Sequence, residues 1–426
     1  MKKIVLALLF VTLVFGAGFD ITEHGTRATA MGSAFIARAS DPSAIFYNPA
    51  GIAFLGKTWF YAGGTLIAPK GSFEGANPFP GEGVKEELET QYFPVPNFYI
   101  VYPISENLTF GLGVYSPFGL GTKWKNPDSY TGRYISTESS ITMFTVNPVI
   151  AYRFSDAISL GVGLQYSLSK VHFLQYIPAF NPFTFTVVDV GTVKADSNWK
   201  GSLGFNAGLM IKPSDKVSFG LTYRHKQKVD YTGTAQFSQI FTGNLIFDAI
   251  VASTLPFGQD VTVNASITYP SYLGGGIAFY PSDNLSVEVD LGYTFWSMYD
   301  ELPITFPDYP GLNPGEEAVK EFYHNNITFR FGVEYMLNEG TYLRAGYVYD
   351  QNAADPESVT PQLPDTTRHL ISIGLGKDLT DNMYVDISAI YLLGQDRSTE
   401  GKSKYHYEGT FKTNAFLFGI NFGYKF

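Results

Sequence analysis

The residues that most often carry catalysis are scattered along this chain. His24, His172, His225, His324, His369 and His406 stand far apart and never fall into an H-E-x-x-H or other metal-ligand spacing. No G-x-S-x-G elbow presents a serine nucleophile, and no glycine-rich loop leads into a helix to cradle a phosphate. There is no Cys, which removes disulfides, thiolate metal sites and thiol nucleophiles. The paired carboxylates Glu86-Glu87 and Glu316-Glu317 read as solvated loop residues. The expectation is therefore a protein that is not an enzyme and needs no metal or cofactor. A loop-borne His with Asp or Ser, as in barrel lipases and proteases, is the remaining catalytic alternative.

What the chain offers instead is apolar surface in unexpected places. Residues 173–188 read FLQYIPAFNPFTFTVV, and 237–257 read FSQIFTGNLIFDAIVASTLPF with a broadly amphipathic helical face. Loops that face water should be polar. Exposed apolar surface costs roughly 25 cal/mol per Å², so these segments either pack together or bind something, and both can hold at once. Phe173, Phe183, Phe185, Phe237, Ile240 and Phe241 are the candidate capture surface for an apolar ligand.

The elements that must position such a surface follow from the rest of the chain. Charged residues make up only 16% and aromatics 16%, with 43 Gly, and mean hydropathy is near zero. A bundle of membrane helices is excluded, while a chain alternating lipid-facing and lumen-facing residues fits. Lys2 and Lys3 precede an apolar run from Ile4 to Phe15, then small Gly16 and Ala17, which reads as an export signal over 1–16. That run is too short for a membrane anchor, which needs roughly 20 residues. The net charge of −10 becomes −12 when Lys2 and Lys3 leave, and no basic cluster exists to meet nucleic acid.

Beyond residue 56, runs of alternating apolar and polar residues end in short polar turns. The turns are Ser105-Glu106-Asn107, Ser155-Asp156, Ser214-Asp215-Lys216, Ser282-Asp283-Asn284, Asn338-Glu339-Gly340 and Thr380-Asp381-Asn382. Six turns join six hairpins, with one strand before and one after, which makes fourteen. The strands fall at about 57–68, 92–103, 107–118, 138–154, 157–171, 199–212, 216–230, 263–281, 285–297, 320–337, 341–350, 366–379, 383–394 and 410–426, each long enough to cross a bilayer. Short turns on one side and long loops on the other mark a closed antiparallel transmembrane β-barrel of 57–426, its turns periplasmic. Closure is required because an open edge in lipid leaves backbone groups unpaired. By parity the lumen receives Arg153, Arg224, Arg330, Arg344 and Arg368 against Glu288, Asp290, Glu334 and Asp386. Residues 17–56, with Met31, Phe35, Ile36, Ile45 and Phe46, are too apolar for a free tail and are expected to plug the barrel.

Several motifs carry a resemblance. Gly18-Phe19, Gly25-x-Arg27-Ala28-x-x-Met31-Gly32 and Ser43-Ala44-Ile45-Phe46-Tyr47-Asn48-Pro49-Ala50-Gly51 resemble the hatch of the FadL-type outer-membrane transporters. Tyr115-Ser116-Pro117-Phe118-Gly119-Leu120-Gly121, then Gly132-Arg133-Tyr134, resembles the family's third strand and following loop. The terminal Phe426 is similar to the aromatic end read by barrel-assembly machinery. The resemblance implies a monomer in the bacterial outer membrane that passes long-chain fatty acids or aromatic hydrocarbons. Ligand would be caught at the loops and released sideways into lipid through a kink in the third strand, placed near Gly111 and Gly113. Asn48, Pro49 and Ala50 would pin the hatch near that gap. A basic group would hold a carboxylate, for which Arg330 and Arg344, then Arg133, are the candidates, since a planar guanidinium pairs a carboxylate twice. The alternative for any one Arg is an internal ion network that fixes the hatch. The competing functions are an open diffusion porin, or a barrel enzyme or adhesin; a plug and apolar loops argue for the transporter.

Overall fold

The computed structural model describes residues 19–426 apart from 316–319. The expected export signal and Glu316-Glu317 lie outside the described residues. Fourteen strands form the wall: β1 Trp59–Gly75, β2 Phe93–Pro103, β3 Leu108–Tyr115, β4 Glu138–Arg153, β5 Ile158–Asn181, β6 Lys200–Ser214, β7 Val217–Arg224, β8 Tyr272–Ser282, β9 Leu285–Thr294, β10 Asn326–Asn338, β11 Thr341–Asp350, β12 Arg368–Asp378, β13 Met383–Gly394 and β14 Gly409–Lys425. Each pairs antiparallel with the next, and β14 returns to β1 from Trp59 opposite Lys425 to Gly75 opposite Gly409. The sheet therefore closes and leaves no edge in lipid. The period-two pattern sets the faces. Phe416, Phe418, Ile420, Phe422 and Tyr424 point out, while Asn421 between them is fully buried.

Two expected strands are shorter than the pattern suggested. The wall strand at 216–230 stops at Arg224, and that at 263–281 starts only at Tyr272. Pro270 cannot donate to a ladder, and the break lies there. The same chain continues above the membrane as Gln227–Gln239 paired with Asp260–Tyr269. Segment 173–188 is likewise no irregular loop. β5 runs on to Asn181 and turns back as Thr186–Ser197, which pairs in turn with Gln227–Gln239. These strands make an extracellular sheet whose inner face, including Phe173, Ile177, Val193 and Phe237, packs into one apolar cluster with the other loops. A short helix, Leu245–Ala252, caps this region. Asn244 Oδ1 accepts from the amides of Ile246 and Phe247, both at 3.1 Å, and Phe247 and Val251 turn inward.

Residues 19–56 fill the lumen with two short helices, Thr26–Ala30 and Ala44–Tyr47, and a 3-10 turn, Pro49–Phe54. Lumen-facing glycines mark where this backbone meets the wall. A Cβ on Gly220 would lie 2.1 Å from the Ile36 carbonyl, and one on Gly346 would lie 2.1 Å from the Gly32 nitrogen. No larger residue fits there without moving the plug.

Candidate functional site

The wall is interrupted beside β3. β2 and β3 pair regularly from Pro103 opposite Thr109 to Phe98 opposite Val114. Beyond that point the chain after β3 passes through Ser116-Pro117-Phe118 and re-enters a ladder only with β4, as Gly119–Lys123. The register across β4 slips by one residue between Tyr115, opposite Thr145, and Gly119, opposite Thr142. Pairing on the β2 side resumes only where Leu88 meets Trp124. The result is a window between Phe93–Asn97 and residues 115–122. From inside, the N-terminal residues lie along part of its edge: Ile21 N donates to Pro117 O and Gly119 N to Phe19 O, both at 2.9 Å.

This corrects the expected position. Gly111 and Gly113 are fully paired on both sides, to Val101 and Tyr99 and to Val149 and Asn147. They are clearance for the plug, since a Cβ on Gly111 would come 2.9 Å from both Ile45 and Ile52. The signal for the interruption was Pro117, which has no N–H for a ladder.

A cavity of about 410 Å³ lies behind the window, within the roughly 300–1,000 Å³ of small-molecule sites. Most of its lining is apolar, with Ile67, Val95, Phe118, Ile141, Val348 and Leu370 among the lumen-facing residues. It extends to Pro94, Thr142 and Phe144, which belong to the outer face of the wall. Its polar end carries Asp20, Glu23, Arg330, Asp350, Asp365 and Arg368. The loop after β11 covers it through Leu363–Thr366 and is tied across to the β3 continuation, where Thr122 Oγ1 donates to Gln362 O at 3.1 Å and Trp124 Nε1 to Pro361 O at 2.9 Å.

The three arginine candidates separate clearly. Arg344 is committed to structure: its Nε meets Glu334 and its Nη1 meets Asp386, each at 2.6 Å. Arg133 lies in a loop, pairs with Asp189 at 3.1 Å and lines neither cavity. Arg330 alone of the three lines the cavity. Its Nη1 donates to Tyr272 OH at 2.9 Å, its Nε has no hydrogen-bond partner, and among the described residues no carboxylate lies within ion-pair distance. Arg224 stands near it, over the rings of Phe46 and Tyr272, and both guanidiniums line a small adjoining void. Parity placed Arg224 in the lumen but gave no reason to single it out.

The internal ion network that the sequence offered as the alternative role for the lumen arginines centres on Glu334, but the sequence did not single out its plug partners. Arg27 Nη2 and Arg38 Nη1, both from the plug, reach Glu334 Oε1 at 2.8 Å, alongside Arg344. Glu288 Oε1 accepts from Ala37 N at 2.7 Å and Asp290 Oδ2 from Phe35 N at 2.9 Å. Carboxylates of β9 and β10 thus grip both side chains and backbone of the plug.

Asn48, Pro49 and Ala50 lie away from the window, against β5 and β6. Asn48 Nδ2 donates to Ile36 O at 2.8 Å and Leu209 O at 3.1 Å, and Ser159 Oγ donates to Ala50 O at 2.9 Å. The floor is again glycine: a Cβ on Gly208 would lie 2.0 Å from Asn48 Oδ1. The loop candidates also divide. Phe173 and Phe237 are 0% and 2% exposed and belong to the packing. Ile240 is half-buried, and Phe183, Phe185 and Phe241 project from the tips. None of the six lines the cavity.

A closed fourteen-stranded antiparallel barrel with an apolar outer belt is an outer-membrane protein of bacteria. The family model described as outer membrane protein transport protein (OMPP1/FadL/TodX) matches residues 7–426, and the chain belongs to that family. It is 25% identical to a long-chain fatty acid transport protein of Escherichia coli, covering 98% of this chain and 96% of that one. It is also 25% identical to outer membrane protein P1 of Haemophilus influenzae over the full length of both. Among solved structures, a Pseudomonas aeruginosa FadL homologue superposes with a TM-score of 0.83 at 20% identity, covering 96% of this chain and all of that one. The Pseudomonas putida toluene transporter TodX gives 0.71 at 16%, covering 96% and 99%. These structures share the fold.

Proposed function

We propose that the protein moves amphipathic hydrophobic molecules, long-chain fatty acids above all, passively across the outer membrane. Ligand first meets the apolar loop tips at Phe183, Phe185 and Phe241. It then lodges in the 410 Å³ cavity with its acid group at Arg330, and leaves sideways into lipid through the window between β2 and β3. The observation that carries this reading is the lining itself, which runs from Arg330 in the lumen to Phe144 on the lipid-facing side. Residues 17–56 serve as the plug that denies a straight water path, pinned by Asn48, Pro49 and Ala50. Among the described residues Arg330 forms no ion pair and its Nε lacks a hydrogen-bond partner, so an acid group finds an unused donor there that a neutral hydrocarbon has no need of, although Asp20 and Asp350 share this end of the cavity.

The test is binding of a series of fatty acids of increasing length to the purified protein. Each methylene seated in the cavity should strengthen binding by about 0.8 kcal/mol, close to fourfold. Arg330→Leu should weaken every acid while leaving the matching hydrocarbon unchanged. Large steady ion conductance with no apolar binding would instead establish a diffusion porin.

A further inference from the structure

The window has a chemistry of its own. Ile104 N donates to Leu108 O, which fixes the even-numbered residues of β2 as those whose N–H faces β3. Pro94 and Pro96 are even, and the register to β1 is unbroken from Phe93 to Val101. The β2 edge along the window therefore lacks a donor at both positions, so it cannot close onto the β3 continuation as a ladder. Closure falls to a side chain. The Phe93 ring lies so near Gly121 that a Cβ there would sit 2.1 Å from its Cζ, with no ladder between the two strands at that level. Any residue but glycine at 121 would displace the ring.

We propose that Phe93 is the valve of the lateral opening: its ring, seated on Gly121, is the part that a passing ligand must swing aside, and Pro94 and Pro96 hold the frame open around it. This rests on the lateral release proposed above and assigns its rate-setting residue. A ring turning about two side-chain torsions is a far smaller motion than breaking strand hydrogen bonds.

The chain has no Cys, so a Phe93→Cys/Gly121→Cys pair can be cross-linked alone, by oxidation or by a short bifunctional thiosulfonate. Uptake of radiolabelled oleate is measured in cells lacking any other transporter, and oleate binding on the purified protein, with folding checked by heat-modifiable gel migration. The cross-linked pair should bind oleate but lose uptake, and reductant should restore it. Phe93→Ala should speed uptake, and a Pro94→Ala/Pro96→Ala pair, which restores both donors, should slow it. Unchanged uptake in the cross-linked protein would overturn the proposal, as would a Phe93→Ala rate equal to that of the parent. If the parent protein itself binds no oleate, the functional reading fails, a result distinct from failure of the valve.

Discussion

The two sides of the barrel hold the plug in opposite ways. Along β9 to β13, Glu288, Asp290, Glu334 and Asp386 form a dry lattice with Arg27, Arg38 and Arg344 and with the plug backbone. Along β3, β4 and β6 no ion pair among the described residues holds the plug: Ile45 and Ile52 pack against Gly111, Val149 and Met210, joined by neutral hydrogen bonds such as Asn48 Nδ2 to Leu209 O and Asn206 Nδ2 to Ile45 O. Above that apolar contact the wall opens at the window. Buried ion pairs are poor at adding net stability but very costly to break, because each survivor is stranded without water. A plug latched this way stays where it is. The difference teaches that the proposed lateral route lies on the side where no ion pair between plug and wall would have to be broken.

The comparison breaks most visibly if the latch is cut. Glu334→Ala removes a carboxylate shared by three guanidiniums, leaving Arg344 on Asp386 and Arg38 near Glu288 but Arg27 without a carboxylate, and losing one partner of a buried pair costs about 3–5 kcal/mol. The plug should become protease-sensitive and the thermal transition should fall, with new ion conductance through reconstituted protein. Asn48→Ala removes the donor to Ile36 O and Leu209 O, at about 1–3 kcal/mol for buried groups left unpaired. It should loosen the plug on its β5–β6 side without conductance as large as that of Glu334→Ala, as measured by hydrogen exchange at residues 44–54.

A smaller effect concerns the loops. Glu321 is buried beside Lys404 at 3.1 Å, and burial pushes its carboxyl up to about 7. Because the folded value lies above the ordinary one, its contribution is complete below about pH 4.5 and is lost as pH rises through 7. Loop segments 320–324 and 351–358 should exchange faster at pH 8 than at pH 5, and Glu321→Gln should flatten that dependence. The smallest effect is expected at the tips. Phe185 is 80% exposed, so Phe185→Ser should leave the thermal transition unchanged and lower only the rate of ligand capture.

The sequence made the wall legible because a strand's period of two survives any loop inserted between strands. The same parity placed Arg330, Arg344, Glu288, Asp290, Glu334 and Asp386 in the lumen. Their partners were not legible, since Arg27 and Arg38 lie some 300 residues from Glu334 in a plug with no repeating pattern. Glycine misled at Gly111 and Gly113 because it marks a bulge and a clearance equally well; Pro117, which has one meaning in a ladder, was the better sign. Apolar composition could not separate Phe173 and Phe237, which pack, from Phe183 and Phe185, which project. Phe93 carried no signal at all, because its role depends on Gly121 across an unpaired gap.

The most direct test is the structure of the purified protein soaked with a heavy-atom-labelled fatty acid. The label is expected along the cavity between Ile141 and Leu370, with the carboxylate on Arg330 and the Phe93 ring turned from Gly121. A label found outside that cavity, or a water-filled bore past a displaced plug, would contradict it.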